Sequence, residues 1–181
     1  PVKRQPNLVF AAARWHGVPS PGPYAGLRAR LLGDDGTVRA TILHRATQTN
    51  EVGRLATLVP VMATLGPRLS LVEAGASAGL CLYPDRHRYR WATDDGGVVE
   101  AGTGPPLECR VRGAVPLPAE VPAVAWRGGV DVAPVDLHDD DAVRWLENLV
   151  WPEDDARRDR LRAAIAQARR EPGRVEKADA R

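Results

Sequence analysis

The sequence predicts an α/β fold: a partial parallel sheet, preceded by a helical segment and interrupted by an antiparallel insertion. Three observations predict it. Residues 69–80, L-S-L-V-E-A-G-A-S-A-G-L, read as a short apolar strand ending in an acid, then a turn between glycines, then the start of a helix. A short apolar run bounded by glycines is the mark of a buried parallel strand. Residues 124–131, V-A-W-R-G-G-V-D, repeat the pattern and again end in an acid. Residues 153–178 then give a helix followed by a third short strand, with Asp179 after it. Open sheets of this rhythm bind ligands outside the carboxyl ends of their strands.

Residues 6–16 suit a helix with Asn7 near its start. Pro19 and Pro21 close it because proline cannot continue a helix, and His16 reads as a cap at its end. Residues 24–32 read as a second short helix with Tyr24, Leu27 and Leu31 on one face, and Asp34-Asp35-Gly36 as a turn. In R-A-T-Q-T-N-E-V-G-R, residues 45–54, Thr49 or Asn50 is a natural N-cap. Val52, Leu55, Ala56, Val59, Met62 and Ala63 then recur at helical spacing, and Pro60 is expected to kink or shorten that helix. The polar set Gln48, Asn50, Glu51 and Arg54 has two readings: the solvated face of a capped helix, or a group of ligand-facing hydrogen-bonding side chains.

Gly66-Pro67 breaks the chain before the first strand. Glu73, Gly75 and Gly79 then form the frame E-x-G-x-x-x-G. Gly75 lets the backbone turn sharply, Gly79 lets helix and strand approach, and the N-terminus of the following helix offers free N–H groups to an anionic group. The same residues, Gly75-Ala76-Ser77-Ala78-Gly79, match G-x-S-x-G, in which Ser77 is a nucleophile. That reading needs an acid and then a histidine. Only His87 and His138 follow, and His138 is two residues from Asp136, too close for the usual order on separate strand ends.

Between Pro84 and Pro122 the rhythm changes. Residues 88–91, 98–100 and 107–112 read as short strands with a turn at 94–97, an antiparallel insertion over about 84–122 that ends in a proline-rich connection. Cys109 within it reads as a packed thiol. The second strand's closing acid, Asp131, lies 58 residues after Glu73. The simple dinucleotide fingerprint has about 20 residues between loop and acid, and the insertion accounts for the excess. Asp139-Asp140-Asp141 start a helix with acids at its positive end, and Ala142, Trp145, Leu146 and Leu149 form its buried face. The helix over 153–170 is acidic first and arginine-rich last, and Pro172-Gly173 stop it.

The chain has 181 residues, 44% hydrophobic and 27% charged, an ordinary globular composition with room for little more than one domain. The formal net charge is +2 with acids and arginines interleaved, so no basic face for nucleic acid stands out. Two cysteines make neither a disulfide framework nor a zinc cluster, which suits a reducing cytoplasm. No apolar run approaches the ~20 residues of a membrane span, and none of the candidate residues forms a metal site. Both ends read as cut: the chain opens Pro1-Val2-Lys3 and stops at Arg181 just after a strand. The expected organisation is an N-terminal helical segment, 1–66, and the first half of a Rossmann-like domain, 67–181. Its first strand is then left with an open edge through which copies can associate.

Glu73, Asp131 and Asp179-Ala180, each closing a strand, resemble the acids of class I S-adenosylmethionine-dependent methyltransferases. The resemblance implies that Glu73 and the loop residues Gly75, Ser77 and Gly79 hold the methionine part of S-adenosylmethionine, Asp131 its ribose, and Asp179 the adenine amino group. It also implies that Asn50, Glu51 and Arg54 cap the site. A second resemblance spans nearly the whole chain. R-A-T-Q-T-N-E-V-G-R (45–54), L-V-E-A-G-A-S-A-G-L (71–80), G-V-D-V-A-P-V-D (129–136) and R-W-L-E-N-L-V-W-P-E (144–153) are similar to Domain of Unknown Function (DUF) 2332, a mostly actinobacterial family whose members are longer at both ends. No reaction is assigned to that family, so the resemblance implies a methyltransferase-like fold with no acceptor, or a binding or scaffold protein on the same fold. Cys81, where the family usually has Asn, and Pro84 are departures from its pattern.

Overall fold

The computed structural model describes residues 5–179; the opening Pro1-Val2-Lys3, and Ala180 and Arg181 after the last strand, lie outside them. The chain forms two compact units, Pro1–Thr49 with Asp139–Arg158, and Asn50–His138 with Asp159–Arg181.

The first unit is helical. It contains α1 (Pro6–Trp15), α2 (Tyr24–Leu32), α3 (Thr37–His44) and α5 (Asp140–Leu149), while α4 (Leu55–Thr64) belongs to the second unit. Leu8 and Ala11 of α1 close against Trp145 and Leu149 of α5, with Trp15 and Ile42 at the margin. The Trp15 and Trp145 rings meet edge to face at 5.6 Å. The Arg45 guanidinium lies over both rings, at 5.0 and 5.3 Å, and pairs with Asp141. α5 begins as its acids predict: the Asp139 side chain accepts from the amides of Asp141 and Ala142. His16 is the C-cap residue of α1, and its ring bonds Thr41 at 2.8 Å. Two expectations are corrected here. Residues 37–44, left without an element by the sequence, form α3, whose first turn is held by Asp34 accepting from the amides of Val38 and Arg39. The predicted apolar face of α2 buries no residue.

The second unit carries both sheets. Strands β1 (Arg68–Ala74), β5 (Ala123–Asp131) and β6 (Arg174–Lys177) are parallel in the order β1-β5-β6, with Glu73 level with Gly129 and Asp131 level with Lys177. The remaining strands, β2 (Arg88–Thr93), β3 (Val98–Gly102) and β4 (Pro106–Val111), make a second sheet in the order β3-β2-β4. It is mixed, which corrects the antiparallel insertion: β2 and β3 form the expected hairpin, but β4 crosses to the far side of β2 and runs parallel to it. Helix α4 (Leu55–Thr64) packs on β2 and β4 with Leu55 and Val59 fully buried, and the Trp91 indole N–H donates to the Ala56 carbonyl at 2.6 Å. Pro60 lies inside α4 without ending it. The last helix, α6 (Asp155–Arg170), leads into β6.

β1 is not the buried strand its composition predicts. None of its seven residues is buried, because β5 flanks it on one side only and no described strand pairs with its other edge. The helix expected after the glycine loop is also absent. Residues Leu80–Leu82 and Pro84–Arg86 make two single 3₁₀ turns, and the chain then enters β2. Pro84 has no N–H to continue a helix.

Candidate functional site

The eight residues expected to hold the cofactor, Asn50, Arg54, Glu73, Gly75, Ser77, Gly79, Asp131 and Asp179, all belong to the second unit. Six of them, with Asn50, Ser77 and Asp131 in direct contact through the loop backbone, are tied to the carboxyl ends of β1 and β5. Pairing of β1 with β5 brings the end of one strand beside the end of the other. The amides of Gly75 and Ala76 then both donate to the Val130 carbonyl, at 2.8 and 3.1 Å. The loop between the strands is closed on itself by Gly79 N–H donating to Ala76 O at 2.7 Å. Gly75 and Gly79 both need their glycines, at φ 76° and 68°. A side chain on Gly79 would meet Val175 of β6 at 2.8 Å, so this is a close approach to a strand. A side chain on Gly75 would meet nothing within 4 Å: the turn needs glycine there, and the space beside it is open.

Asp131 binds the loop directly. One carboxylate oxygen accepts from Ser77 N–H and the other from Ala133 N–H, both at 2.8 Å. Asn50 holds the loop from the opposite side, its amide nitrogen donating to Ala76 O at 3.0 Å. That is a tertiary bond, and the helix cap expected of Asn50 falls to Glu51, whose side chain accepts from Gly53 N–H in the turn before α4. Arg54 is exposed and folds back, its Nε donating to Glu51 O at 3.1 Å. Asp179 is exposed, one residue beyond Ala178, whose amide donates to the Asp131 carbonyl at 3.0 Å.

Three polar atoms around this loop are buried without a hydrogen-bond partner: Asn50 Oδ1, Glu73 Oε2 and Ser77 Oγ. Asn50 is 8% exposed and Ser77 5%. Ser77 is also the one described non-glycine residue with positive φ, 51°. Burial pushes the Glu73 carboxyl above its ordinary range and Asp131 adds to the rise, with Arg54 pulling the other way. The Cys81 thiol is pushed up to about 12, first by burial and then by Glu73. It is a neutral packed group. Beside the loop, Ala78 and Gly79 share a pocket of ≈ 310 Å³ with residues 134–138 and with Pro172, Gly173 and Val175.

The serine-nucleophile reading lacks a base. Ser77 Oγ has no partner, and both His87 ring nitrogens are likewise unpartnered in a residue 2% exposed. Asp136 and His138 line the pocket, but Asp136 accepts from the backbone amide of His138.

A second set of residues, invisible to motif reading, fixes the loop's far end. Asp85 accepts from both terminal nitrogens of Arg127 at 2.9 Å, the two side chains being 9% and 11% exposed. Arg127 also donates to Leu82 O and stacks over Tyr83 at 4.8 Å. Tyr83 donates to Glu171 O and accepts from Gly173 N–H. These contacts hold the 3₁₀ segment against the turn between α6 and β6. Backbone groups take part in three of these five hydrogen bonds, so no residue pattern announces them.

The model of one protein family, described as "Uncharacterized protein conserved in bacteria (DUF2332)", matches residues 4–181. The chain belongs to the DUF2332 family. No curated protein and no solved structure matches it. The geometry explains much of the motif set by which this DUF2332 chain resembles its family. Arg45 sits over two tryptophans, and Ala46 O accepts from the Trp145 indole at 2.8 Å. Asn148 donates to Ala11 O at 2.7 Å. Asn50, Glu73, the glycine loop and Asp131 remain as the part gathered at strand ends. Among the described residues no group of histidines, cysteines and acids is placed to hold a metal, and no helix is long and apolar enough to cross a membrane.

Proposed function

We propose that this DUF2332 chain binds S-adenosylmethionine at the carboxyl ends of β1 and β5 and is a methyltransferase-like protein whose acceptor is unassigned. The observation that carries the reading is the cluster of buried oxygens without partners, Asn50 Oδ1, Glu73 Oε2 and Ser77 Oγ, around a glycine loop between two acid-ended parallel strands. A buried acceptor without a donor costs about 1–3 kcal/mol, and a ligand presenting N–H or O–H groups removes that cost. The donor set fits the cofactor at the loop and the strand-end acids. It departs from the usual pattern in having no helix N-terminus behind the loop.

In this reading Glu73, Gly75, Ser77 and Gly79 hold the amino-acid end, Asp131 the ribose and Asp179 the adenine amino group, with Asn50 and Arg54 over the loop. When bound, the cofactor supplies an electrophilic methyl group on its sulfonium. The chain's own residues bind and orient. Asp131 does so while also accepting from the amides of Ser77 and Ala133, one on each carboxylate oxygen. No residue is assigned as a base, which methyl transfer needs only for some acceptors.

Calorimetry with S-adenosylmethionine and S-adenosylhomocysteine tests the reading. Binding is expected for the 181-residue chain, and Gly75→Val, which meets no neighbouring atom but is strained at φ 76°, is expected to abolish it, with circular dichroism checking that the variant is folded. A folded Gly75→Val protein with unchanged affinity sinks the site assignment. No binding by the unaltered chain favours the binding or scaffold reading without turnover. The left-handed backbone at Ser77 is the one observation that favours a serine nucleophile. Covalent labelling of Ser77 by a fluorophosphonate would establish that alternative.

A further inference from the structure

We propose that the helical unit carries a second, separate site: an aromatic pocket that takes a quaternary ammonium group. The pocket, ≈ 220 Å³, is walled by Phe10 of α1, Tyr24 of α2 and Trp151 just after α5, with Pro152 and the proline loop between α1 and α2 completing it. That volume lies below the range of about 300–1,000 Å³ for sites holding drug-sized ligands, so the occupant is small. Phe10 and Trp151, both on the wall, stand with ring centroids 5.8 Å apart and planes tilted at 53°. Tyr24 is 73% and Trp151 48% exposed, large aromatic surface left in water. Such faces attract a cation through their quadrupole, and a weakly hydrated alkylammonium gains apolar contact as well.

The wall carries one charge of each sign. Arg14 keeps its positive charge, but its N–H groups are directed at the end of α5, where they donate to the carbonyls of Asn148 and Val150. Arg158 is spent in the same way on Trp151 O, Pro152 O and Asp155. Glu153 lines the pocket and is exposed; it feels the Arg14 charge but makes no hydrogen bond or ion pair among the described residues. The carboxylate is therefore the one charge on the wall whose bonding capacity is open to a ligand. Three aromatic rings and a free carboxylate match a trimethylammonium headgroup, whether of a small molecule such as choline or of a trimethylated lysine.

Titration of the 181-residue chain with choline chloride, followed by tryptophan fluorescence against a matched sodium chloride control, tests this. Saturable binding is expected for choline and not for 3,3-dimethylbutan-1-ol, its neutral carbon analogue. Tyr24→Ala, an exposed position that folding does not need, should weaken choline binding roughly two- to thirtyfold. Glu153→Gln should weaken it roughly two- to fivefold. A trimethyllysine peptide that binds more tightly than choline assigns the group to a protein partner, and the reverse order assigns it to a small molecule. Equal binding of the neutral analogue, or unchanged affinity in both variants, overturns the proposal. So does the absence of binding by either ammonium probe.

Discussion

Ser77 and Asp131 are joined by one hydrogen bond and should respond to substitution in opposite senses. Asp131 satisfies the buried Ser77 amide, so Asp131→Ala orphans that donor and is expected to lower stability by about 2–3 kcal/mol, whatever it does to ligand binding. Ser77 holds a left-handed backbone and an unpartnered hydroxyl, both unfavourable in the ligand-free protein. Ser77→Gly is expected to raise stability by about 1 kcal/mol, read as a shift in urea midpoint at constant slope; a loss would mean that the hydroxyl has a partner. Glu73 gives the same argument a pH dependence. Its folded-state pKa lies above the ordinary 4.5, so the folded protein holds the proton more tightly than the unfolded chain does. Its contribution is therefore present below pH about 4.5 and is lost as pH rises through the raised value. Glu73→Gln should then raise the urea midpoint at pH 7–8, with the gain vanishing near pH 4. If the midpoint falls instead at neutral pH, the carboxylate is paired and the pocket does not need a cationic or donor ligand.

At the scale of the element, the segment that replaces the expected helix depends on one buried ion pair. Removing either Asp85 or Arg127 leaves a charge with little access to water, a loss of about 3–5 kcal/mol. Asp85→Asn and Arg127→Met are each expected to be strongly destabilising, and the double variant to cost well under their sum, a coupling that urea unfolding of the four proteins measures. The strand positions were legible in the sequence to within about two residues, because short apolar runs closed by Gly, Pro or Asp leave little choice. The acids at the ends of β1 and β5 were legible for the same reason, since both close an apolar run. What was not legible depended on distant partners. Pro84 was visible, but nothing local showed that Asp85 would find Arg127, 42 residues away, and hold single turns in place of a helix. The crossing of β4 to the far side of β2 is equally non-local: β-propensity locates a strand and is silent on its neighbour. Asn50 read as a cap because its local pattern is that of one; its bond to Ala76 O is set by tertiary packing. Helix α3 is not legible locally because Thr37, Val38, Thr41 and Ile42 are β-branched and Asp34, which holds its first turn, reads as part of a turn of its own.

At the scale of the whole molecule, the parallel sheet poses a problem that no single residue shows. Parallel sheets are ordinarily covered on both faces and paired at their inner strands. Here β1 lies at an edge with no described strand beyond it, and Val72 on β1 is 68% exposed and Trp126 on β5 51% exposed. β1 reads R-L-S-L-V-E-A and lacks the lysine or proline that usually blunts an edge. The formal net charge of +2 provides little repulsion between copies. These features together predict self-association through β1, a second copy adding its own strand to the open edge. Sedimentation across a hundredfold range of concentration should show a species larger than one chain growing with concentration. Val72→Lys places a charge on the exposed face of the edge strand without touching the loop or its acids, and should return the protein to monomer at the same concentration. It should leave calorimetric binding at the strand ends unchanged. If the unaltered protein sediments as a monomer throughout, the edge is not an association surface, and the exposed apolar groups of β1 and β5 need another explanation.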